Sequence, residues 1–242
     1  QHYSAAQFRN DALHIMHEVT QRNKIPLLVG GTMLYFRALQ DGLSMLPPAD
    51  MNLRLALENS AKELGWPAMH QKLAELDPES AARIKSTDSQ RIQRALEVCY
   101  LTQQPMSEIL KIPKQTHFPY DKISITLIPS ERSQLHQRIA KRFESMLKCG
   151  LVDEVHSIRK QFSLSIVSPS MRCVGYRQAC LYLDDKISIS ELQDSGIAAT
   201  RQLAKRQLTW LRGMKSDNVN EFDCLASKLS EQIKFLLKKT IK

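Results

Sequence analysis

The sequence predicts an α/β protein in which a parallel-sheet core is interrupted by an all-helical insertion. A helix, the short apolar run Ile25–Val29 and a second helix follow one another near the start of the chain. The other good strand candidate, Ile123–Ile128, comes nearly a hundred residues later, and the residues between the two runs look helical. Helices on both sides of buried strands are typical of a doubly wound sheet.

The first helix, "AAQFRNDALHIMHEVTQRN", can be capped by Ser4, and its apolar residues recur at helical spacing (Phe8, Leu13, Ile15 or Met16, Val19). Ile25–Val29 is a continuous apolar run of the kind that lies buried in a parallel sheet. Two glycines and Thr32 then open the next helix, which resembles half of a phosphate-binding turn. None of the eight glycines is followed by lysine, so the chain contains no G-x-x-x-x-G-K-[ST] loop.

The insertion is bracketed by prolines. Pro47 and Pro48 end the preceding helix, residues 51–111 show helical patterning, and Pro113 and Pro119 mark the return. We therefore expect a core formed by residues 1–46 and 121–242, with a helical insertion over residues 47–120. The strands that should neighbour the two predicted ones are not in the sequence, so we expect the chain to be a fragment.

Composition limits the class of protein. The chain has 242 residues, 43% of them hydrophobic, and no run of 18 apolar residues, so it is not expected to span or bind a membrane. Its five cysteines are scattered and never spaced C-x-x-C, which argues against a zinc site and favours a reducing cytoplasm. A formal net charge of +9 favours a polyanionic partner such as nucleic acid.

The segment "ERSQLHQRIAKRFESMLKCGL" is a clear amphipathic helix that follows the second predicted strand. Arg138 and Arg142 lie one turn apart on one face of it, beside Lys141. The pattern fits either a solvated basic edge or a site that clamps an anion.

In "SPSMRCVGYRQACLYL", Arg172 and Arg177 flank Gly175 and Tyr176. A glycine between arginines and an aromatic residue suits close approach to a phosphate or stacking on a base. An ordinary tight turn that opens a helix would give the same pattern, and the spacing alone does not decide.

The segment "AATRQLAKRQLTWLRGM" predicts a helix with a cationic stripe. At about 100° per residue, Arg201, Lys205 and Arg212 fall within a narrow sector. Three apolar residues lie elsewhere on the helix and are expected to face the core (Leu203, Trp210, Leu211). Contact with an RNA backbone is favoured over a solvated face.

Taken together, these motifs closely resemble the bacterial tRNA dimethylallyltransferase (tRNA isopentenyltransferase) family. They are "YSAAQFRNDA", "IPLLVGGTMLYFRAL", "DSQRIQRALEV", "RIAKRF", "RCVGYRQ" and "TRQLAKRQLTWLR". They occur in family order and cover nearly the whole chain, from Gln1 to about Gly213.

The resemblance implies a fold similar to P-loop kinases, with a helical insertion that grips the anticodon stem-loop of tRNA. It implies transfer of a dimethylallyl group from dimethylallyl diphosphate to the exocyclic amine of the adenosine 3′-adjacent to the anticodon. Mg²⁺ would assist the diphosphate, and the full-length protein would be a monomer. An allylic diphosphate is a good electrophile once its leaving group is neutralised, which requires arginines and a metal.

Carried over to this chain, the family pattern makes Thr32 a catalytic residue that lines the reaction channel and meets the tRNA. Arg138 or Arg142 would bind the diphosphate, with Arg142 preferred. The implied tRNA contacts are Arg54, then Gln90, Arg91, Ile92, Gln93 and Arg94, then Arg172, Cys173, Val174, Gly175, Tyr176 and Arg177, and finally Arg201, Lys205, Arg206 and Arg212.

The chain also departs from the family pattern. The family's phosphate loop and the aspartate that serves as general base lie upstream of a segment like "YSAAQFRNDA", and neither is in this sequence. We therefore expect no metal ligand in this chain and no activity from it alone. A non-catalytic RNA-binding module and a small-molecule P-loop kinase remain as alternatives.

Overall fold

The computed structural model describes residues 3–113, 118–164, 166, 168–214 and 219–241. The described part is mostly helical and contains one small sheet. Its helices are α1 (Ala5–Gln21), α2 (Met33–Asp41), α3 (Met51–Leu64), α4 (Trp66–Leu76), α5 (Pro78–Arg83), α6 (Ser89–Thr102), α7 (Met106–Lys111), α8 (Arg132–Lys148), α9 (Leu151–Phe162), α10 (Tyr176–Leu183), α11 (Ile189–Gly213) and α12 (Leu229–Thr240). A 3₁₀-helix covers Pro169–Arg172, and the strands are β1 (Ser124–Ile128) and β2 (Val219–Asp223).

The chain divides into two compact units. The sheet unit contains residues 27–33 and the described part of 120–242, whereas the helical unit contains residues 3–26 and the described part of 34–119. The helices α3 to α7 confirm the helical character predicted for residues 51–111. The domain boundaries proposed at residues 46/47 and 120/121 stay a prediction.

The sheet pairs β1 and β2 in parallel, with Ser124 opposite Val219 and Ile128 opposite Asp223. β1 confirms the strand predicted at residues 123–128. β2 was not predicted, because its sequence, VNEFD, alternates polar and apolar residues and lies outside the recognised motifs. The carboxyl ends of both strands meet at one edge of the sheet, which is where ligands usually bind in such folds.

The strand predicted at Ile25–Val29 is wrong for this structure. These residues have no assigned strand, and Leu27 and Val29 are 84% and 85% exposed. Within the described residues the sheet consists of β1 and β2 alone, so the segment has no strand to pair with. An apolar run indicates what a residue would bury but not whether a neighbouring strand is there to cover it.

The start of α1 confirms the predicted cap. The Ser4 hydroxyl accepts a hydrogen bond from the Gln7 backbone N–H at 3.1 Å, and the Gln7 side chain accepts one from the Ser4 N–H at 2.8 Å. This reciprocal capping box satisfies two backbone donors that a helix start otherwise leaves open. Phe8 then stacks on Tyr35 of α2, with ring centroids 4.4 Å apart.

The helical unit has a core built from α3 to α7. Its buried members include Leu57, Met69, Leu73, Ile92, Leu96, Val98 and Ile109. Asp77 is also fully buried, and it ties two helices together. Its carboxylate caps α5 through the Ser80 N–H at 2.9 Å and accepts the Ser107 N–H and hydroxyl of α7 at 2.8 and 2.7 Å.

The core of the sheet unit lies between α8, α9, α10 and α11. The predicted amphipathic helix is confirmed as α8, and its Ile139 and Phe143 are buried. Phe143 packs directly on Gly196 of α11, where an added Cβ would lie 2.0 Å from a ring carbon. Gly196 therefore has to be glycine because the two helices approach so closely.

Candidate functional site

The loop that carries Thr32 is attached to α11. The Gln207 Nε2 of α11 donates a hydrogen bond to the Gly31 carbonyl oxygen at 3.0 Å. Thr32 is exposed, and α2 begins at the next residue. The residue expected to line a reaction channel therefore lies beside the helix expected to bind RNA.

The cationic stripe of α11 is exposed along its length. Its members Arg201, Lys205 and Arg212 are exposed, as is Arg206 on a different face of the helix, and within the described residues none of the four forms an ion pair. Unneutralised cations in a row give the positive potential that attracts an RNA backbone. The RNA contact itself stays a prediction.

The apolar residues of this helix do not all face inward as predicted. Leu203 and Trp210 are 38% and 39% exposed, whereas Leu211 is half-buried. The inward face of the second half of α11 instead carries Ala204, which packs on the core, and Gln207. Leu203 lies about 100° away from Ala204 on the helix, which turns it toward solvent.

The two candidate diphosphate-binding arginines differ in their contacts near the carboxyl edge of the sheet. Arg138 Nη1 lies 3.5 Å from the Cys224 carbonyl oxygen, just beyond β2. Arg142, one turn further along α8, is exposed and has no ion pair in the part of the chain that the structure describes. Arg142 is thus the more available of the two for an anion.

Asp223, the last residue of β2, lies at the same edge of the sheet. Its carboxylate accepts hydrogen bonds from the backbone N–H groups of Leu225 at 2.9 Å and Ser130 at 3.0 Å. These bonds, led by Leu225, lower the pKa of Asp223, and the positive charge of Arg138 lowers it further. Asp223 is therefore ionised at neutral pH and joins the loops that follow β1 and β2.

The segment from Arg172 to Arg177 is a tight turn that opens α10. Gly175 has a φ of +94°, a left-handed conformation that favours glycine, and its N–H donates to the Gln178 side chain at 2.9 Å. Arg172, Cys173 and Arg177 are exposed on this turn, Val174 is half-buried, and the Gly175 backbone is buried. The turn thus presents two cations to solvent.

The neighbouring aromatic residue is held in place. The Tyr176 hydroxyl donates a hydrogen bond to the Glu154 carboxylate of α9, and this bond is the main reason why the pKa of Tyr176 is raised. Because the ring is anchored at its hydroxyl, its orientation on the turn is fixed.

Two of the predicted tRNA contacts in the helical unit are engaged with a buried carboxylate. Glu97 is 0% exposed, and its oxygens accept the Arg54 Nε and Nη2 at 2.8 and 3.0 Å and the Arg94 Nη1 at 2.5 Å. Arg94 also donates to the Pro47 carbonyl oxygen at 2.7 Å. Both guanidinium groups therefore join the start of the insertion to α6. Their contact with tRNA stays a prediction.

The other members of this predicted group differ in exposure. Ile92 is 0% exposed in the core, so its side chain is not available to RNA. Gln93 donates to the Arg54 carbonyl oxygen at 3.1 Å. Gln90 and Arg91 are exposed, and Arg91 pairs with Asp88 at 2.6 Å. In this segment, Gln90 and Arg91 are the exposed residues, and the tRNA contact itself stays a prediction.

Acid should weaken the helical unit. Burial alone would raise the pKa of Glu97 and of Asp77, but the hydrogen bonds that each accepts lower both values overall. A carboxyl whose pKa is lower in the folded state stabilises the fold above its unfolded pKa, and this stability is lost as the pH falls through the folded value. We expect the thermal unfolding midpoint to fall steadily below about pH 4. A Glu97→Gln variant should show a shallower dependence, and equal midpoints at pH 7 and pH 3 would contradict the prediction.

Sequence reasoning missed several residues that shape these sites. Glu97 lies three residues after Arg94 on one helix, a spacing that indicates an ion pair and could have been noticed. Arg54 and Glu97 are 43 residues apart, and Gln207 and Gly31 are 176 apart, so no local pattern connects them. Glu154 and Asp223 resemble ordinary helix-start and turn residues in the sequence.

Two features are absent from the described residues. No helix there has both the length and the apolar character needed to cross a membrane. In the same part of the chain, no group of three or more His, Cys, Asp or Glu side chains is placed to hold a metal ion.

Solved structures resemble this fold. The full-length tRNA isopentenylpyrophosphate transferase from Bacillus halodurans superimposes with a TM-score of 0.62 at 32% identity, covering 99% of this chain and 74% of that one. A eukaryotic dimethylallyltransferase acting on tRNA matches with a TM-score of 0.75 over 98% of this chain and 61% of its own, but at 22% identity this likeness concerns the fold alone. The predicted fold class, an α/β core of the P-loop-kinase type with a helical insertion, is confirmed.

Curated relatives are closer in sequence. The tRNA dimethylallyltransferase of Nitrosomonas eutropha is 60% identical over 231 residues, which are 96% of this chain and 72% of the relative. That of Nitrosospira multiformis is 58% identical over 99% of this chain and 74% of its own length. A family model described as IPP transferase matches residues 1–214, the stretch that holds the Thr32 loop, both candidate arginines and the stripe on α11. On these grounds the chain belongs to the IPP transferase family of enzymes.

Proposed function

We propose that this chain is the tRNA-binding and leaving-group-binding part of an enzyme that prenylates tRNA. The reaction would transfer a dimethylallyl group from dimethylallyl diphosphate to the exocyclic amine of the adenosine 3′-adjacent to the anticodon. The observation that carries the proposal is the attachment of the Thr32 loop to the cationic helix α11 through the Gln207–Gly31 hydrogen bond. This contact supports the proposal because it joins the loop that carries a candidate channel residue to the helix whose opposite side is suited to RNA.

The roles of the residues follow from charge and exposure. Arg142, assisted by Arg138, neutralises the diphosphate as its bond to the allylic carbon breaks, which stabilises the charge that develops on the leaving group. Thr32 meets the incoming adenosine, and the stripe on α11 together with Arg172 and Arg177 contacts the phosphates of the anticodon stem-loop. In the helical unit, the exposed Gln90 and Arg91 are the residues that contact RNA.

Mg²⁺ is the cation expected to accompany the diphosphate. The described residues hold no cluster of carboxylates or imidazoles that could bind it, so they do not fit a protein-held Mg²⁺ site. The neutralisation assigned to this chain therefore rests on its arginines.

The 242 residues alone should not transfer a prenyl group, because the sequence contains no phosphate loop. Joining the N-terminal segment of the Nitrosomonas eutropha relative ahead of Gln1 should give an active extended enzyme. The measurement is incorporation of labelled dimethylallyl into an anticodon stem-loop. Equal rates from the two proteins would contradict the first expectation, and an inactive extended enzyme that still binds the stem-loop would favour a non-catalytic RNA-binding module.

Replacing Arg142 should affect the prenyl donor and leave the tRNA almost untouched. A charge-assisted hydrogen bond contributes about 1.5–3 kcal/mol, so Arg142→Ala in the extended enzyme should raise the KM for dimethylallyl diphosphate by about 10-fold to 150-fold. Its affinity for the stem-loop should stay within about twofold of the parent.

Variants of α11 should behave in the opposite way. Each of Arg201→Ala, Lys205→Ala and Arg212→Ala should weaken RNA binding and reduce the slope of log K against log salt by up to about one. The KM for the prenyl donor should not change. If Arg142→Ala flattens the salt slope while the α11 variants leave it intact, the two assignments are reversed.

A further inference from the structure

Gln207 connects two parts of the sheet unit that lie far apart in the sequence. Its side chain leaves α11 between the exposed cations Arg206 and Arg212 and donates to the Gly31 carbonyl oxygen at 3.0 Å. Gln207 is half-buried, unlike Gln202 on the same helix, which is exposed. The contact therefore occupies the inward side of the helix whose outer side carries the cationic stripe.

Gly31 is shaped to receive this side chain. A Cβ at residue 31 would lie 2.3 Å from the Gln207 Nε2, so a larger residue would push this amide away and break the hydrogen bond. The backbone of Gly31 does not have a positive φ, so its conformation does not require glycine. A larger residue at this position would therefore act by displacing the Gln207 side chain.

Within the 242-residue chain, the described surroundings of this loop hold it weakly. Leu27 and Val29, just before it, are 84% and 85% exposed, and Thr32, just after Gly31, is exposed as well. A segment with few buried contacts moves easily unless a specific bond restrains it.

We propose that Gln207 is a positioning residue that fixes Thr32 relative to RNA bound on α11. This inference rests on the proposed function. RNA would be bound on the outer side of α11, and the Thr32 loop is bound on its inner side. One rigid helix therefore fixes both positions. Loss of the hydrogen bond leaves the RNA-binding cations in place but lets Thr32 move away from the bound RNA.

Photocrosslinking tests the proposal in the 242-residue chain itself. Thr32 is replaced by p-benzoylphenylalanine, and the crosslinking yield to an anticodon stem-loop is measured at saturating RNA. Gln207→Ala should lower the yield at least about threefold while the Kd for the RNA stays within about twofold, because a neutral hydrogen bond is lost and no cation is removed. Gln207→Glu should lower it at least as much, since a carboxylate facing the Gly31 carbonyl cannot donate.

Matched variants separate positioning from a general change in the helix. Gln202→Ala, on the exposed side of α11, should leave the yield unchanged. Gly31→Ala should reproduce the effect of Gln207→Ala because its methyl group displaces the amide, and the double variant should show no further loss. An unchanged yield in Gln207→Ala, an equal loss in Gln202→Ala, or additive losses in the double variant would overturn the proposal.

Turnover gives a second readout in the extended enzyme. Gln207→Ala should lower kcat about tenfold or more with little change in the KM for tRNA, which is the pattern of a misplaced reacting group. A raised KM with unchanged kcat would overturn the positioning role. If the parent protein binds no stem-loop at all, the proposed function fails instead, and faster amide hydrogen exchange at residues 28–32 in Gln207→Ala then still tests the anchor.

Discussion

Replacing Glu97 with alanine should destabilise the helical unit by about 3–5 kcal/mol. The change removes a fully buried carboxylate that holds two guanidinium groups and the Asp50 backbone N–H, which it accepts at 2.9 Å. Arg54 and Arg94 would be left without their anion, although about a third of each side chain is exposed and can regain water, so the lower end of the range is expected. Amide hydrogen exchange in the middle of α6 is the measurement, because those amides open only when the unit unfolds.

A matched control is Glu63→Ala, which removes an exposed glutamate from α3 of the same unit. This variant should change the stability by less than about 0.5 kcal/mol. Similar exchange rates in the two variants would show that the stability of the unit does not depend on the bonds of Arg54 and Arg94 to Glu97. The Glu97 variant should also weaken RNA contact by Gln90 and Arg91, since both lie on the helix that the pair secures.

Replacing Asp77 with alanine should cost about 2–4 kcal/mol, from the loss of a helix cap and the burial of donors on Ser107 without an acceptor. The residue is fully buried and bonded to both α5 and α7, so no water can take its place without opening the core. Thermal or urea unfolding of the whole chain measures the effect.

Asp88→Ala provides the comparison, because Asp88 also caps a helix of this unit but lies at its surface. It should cost about 1 kcal/mol, the typical value for a cap, because the surface ion pair of Asp88 with Arg91 adds little. Equal losses from the two substitutions would mean that the bonds to Ser107 contribute nothing to stability.

Elements with a strong local signal could be predicted from the sequence. The apolar spacing of α8 and the Ser4 cap of α1 both act within a few residues, and both were placed correctly. The strand expected at Ile25–Val29 is not formed because, within the described residues, no strand lies beside it, and an apolar run cannot supply its own pairing partner. β2 was missed because the polar residues Asn220 and Glu221 weaken its strand pattern. Its pairing partner β1 lies 95 residues away in the sequence.

The candidate site also combines features that a local sequence pattern predicts with features that it does not. The cations of α11 could be predicted to share a face, because helical geometry fixes their angles, and their exposure agrees with that. The engagement of Arg54 with Glu97 depends on how α3 packs against α6, which the sequence does not encode locally. Arginine clusters read from sequence alone therefore overstate the surface that is available to RNA.

The contact of Phe143 with Gly196 fixes how α8 and α11 are aligned along their lengths. A ring seated on a glycine permits only one longitudinal offset between α8 and α11, because sliding either helix by one residue would drive the ring into a side chain. Arg142 is the residue immediately before Phe143, and Arg201 lies five residues after Gly196. The contact of Phe143 with Gly196 thus sets the spacing between Arg142, proposed to bind the leaving group, and Arg201, the first cation of the stripe proposed to contact RNA.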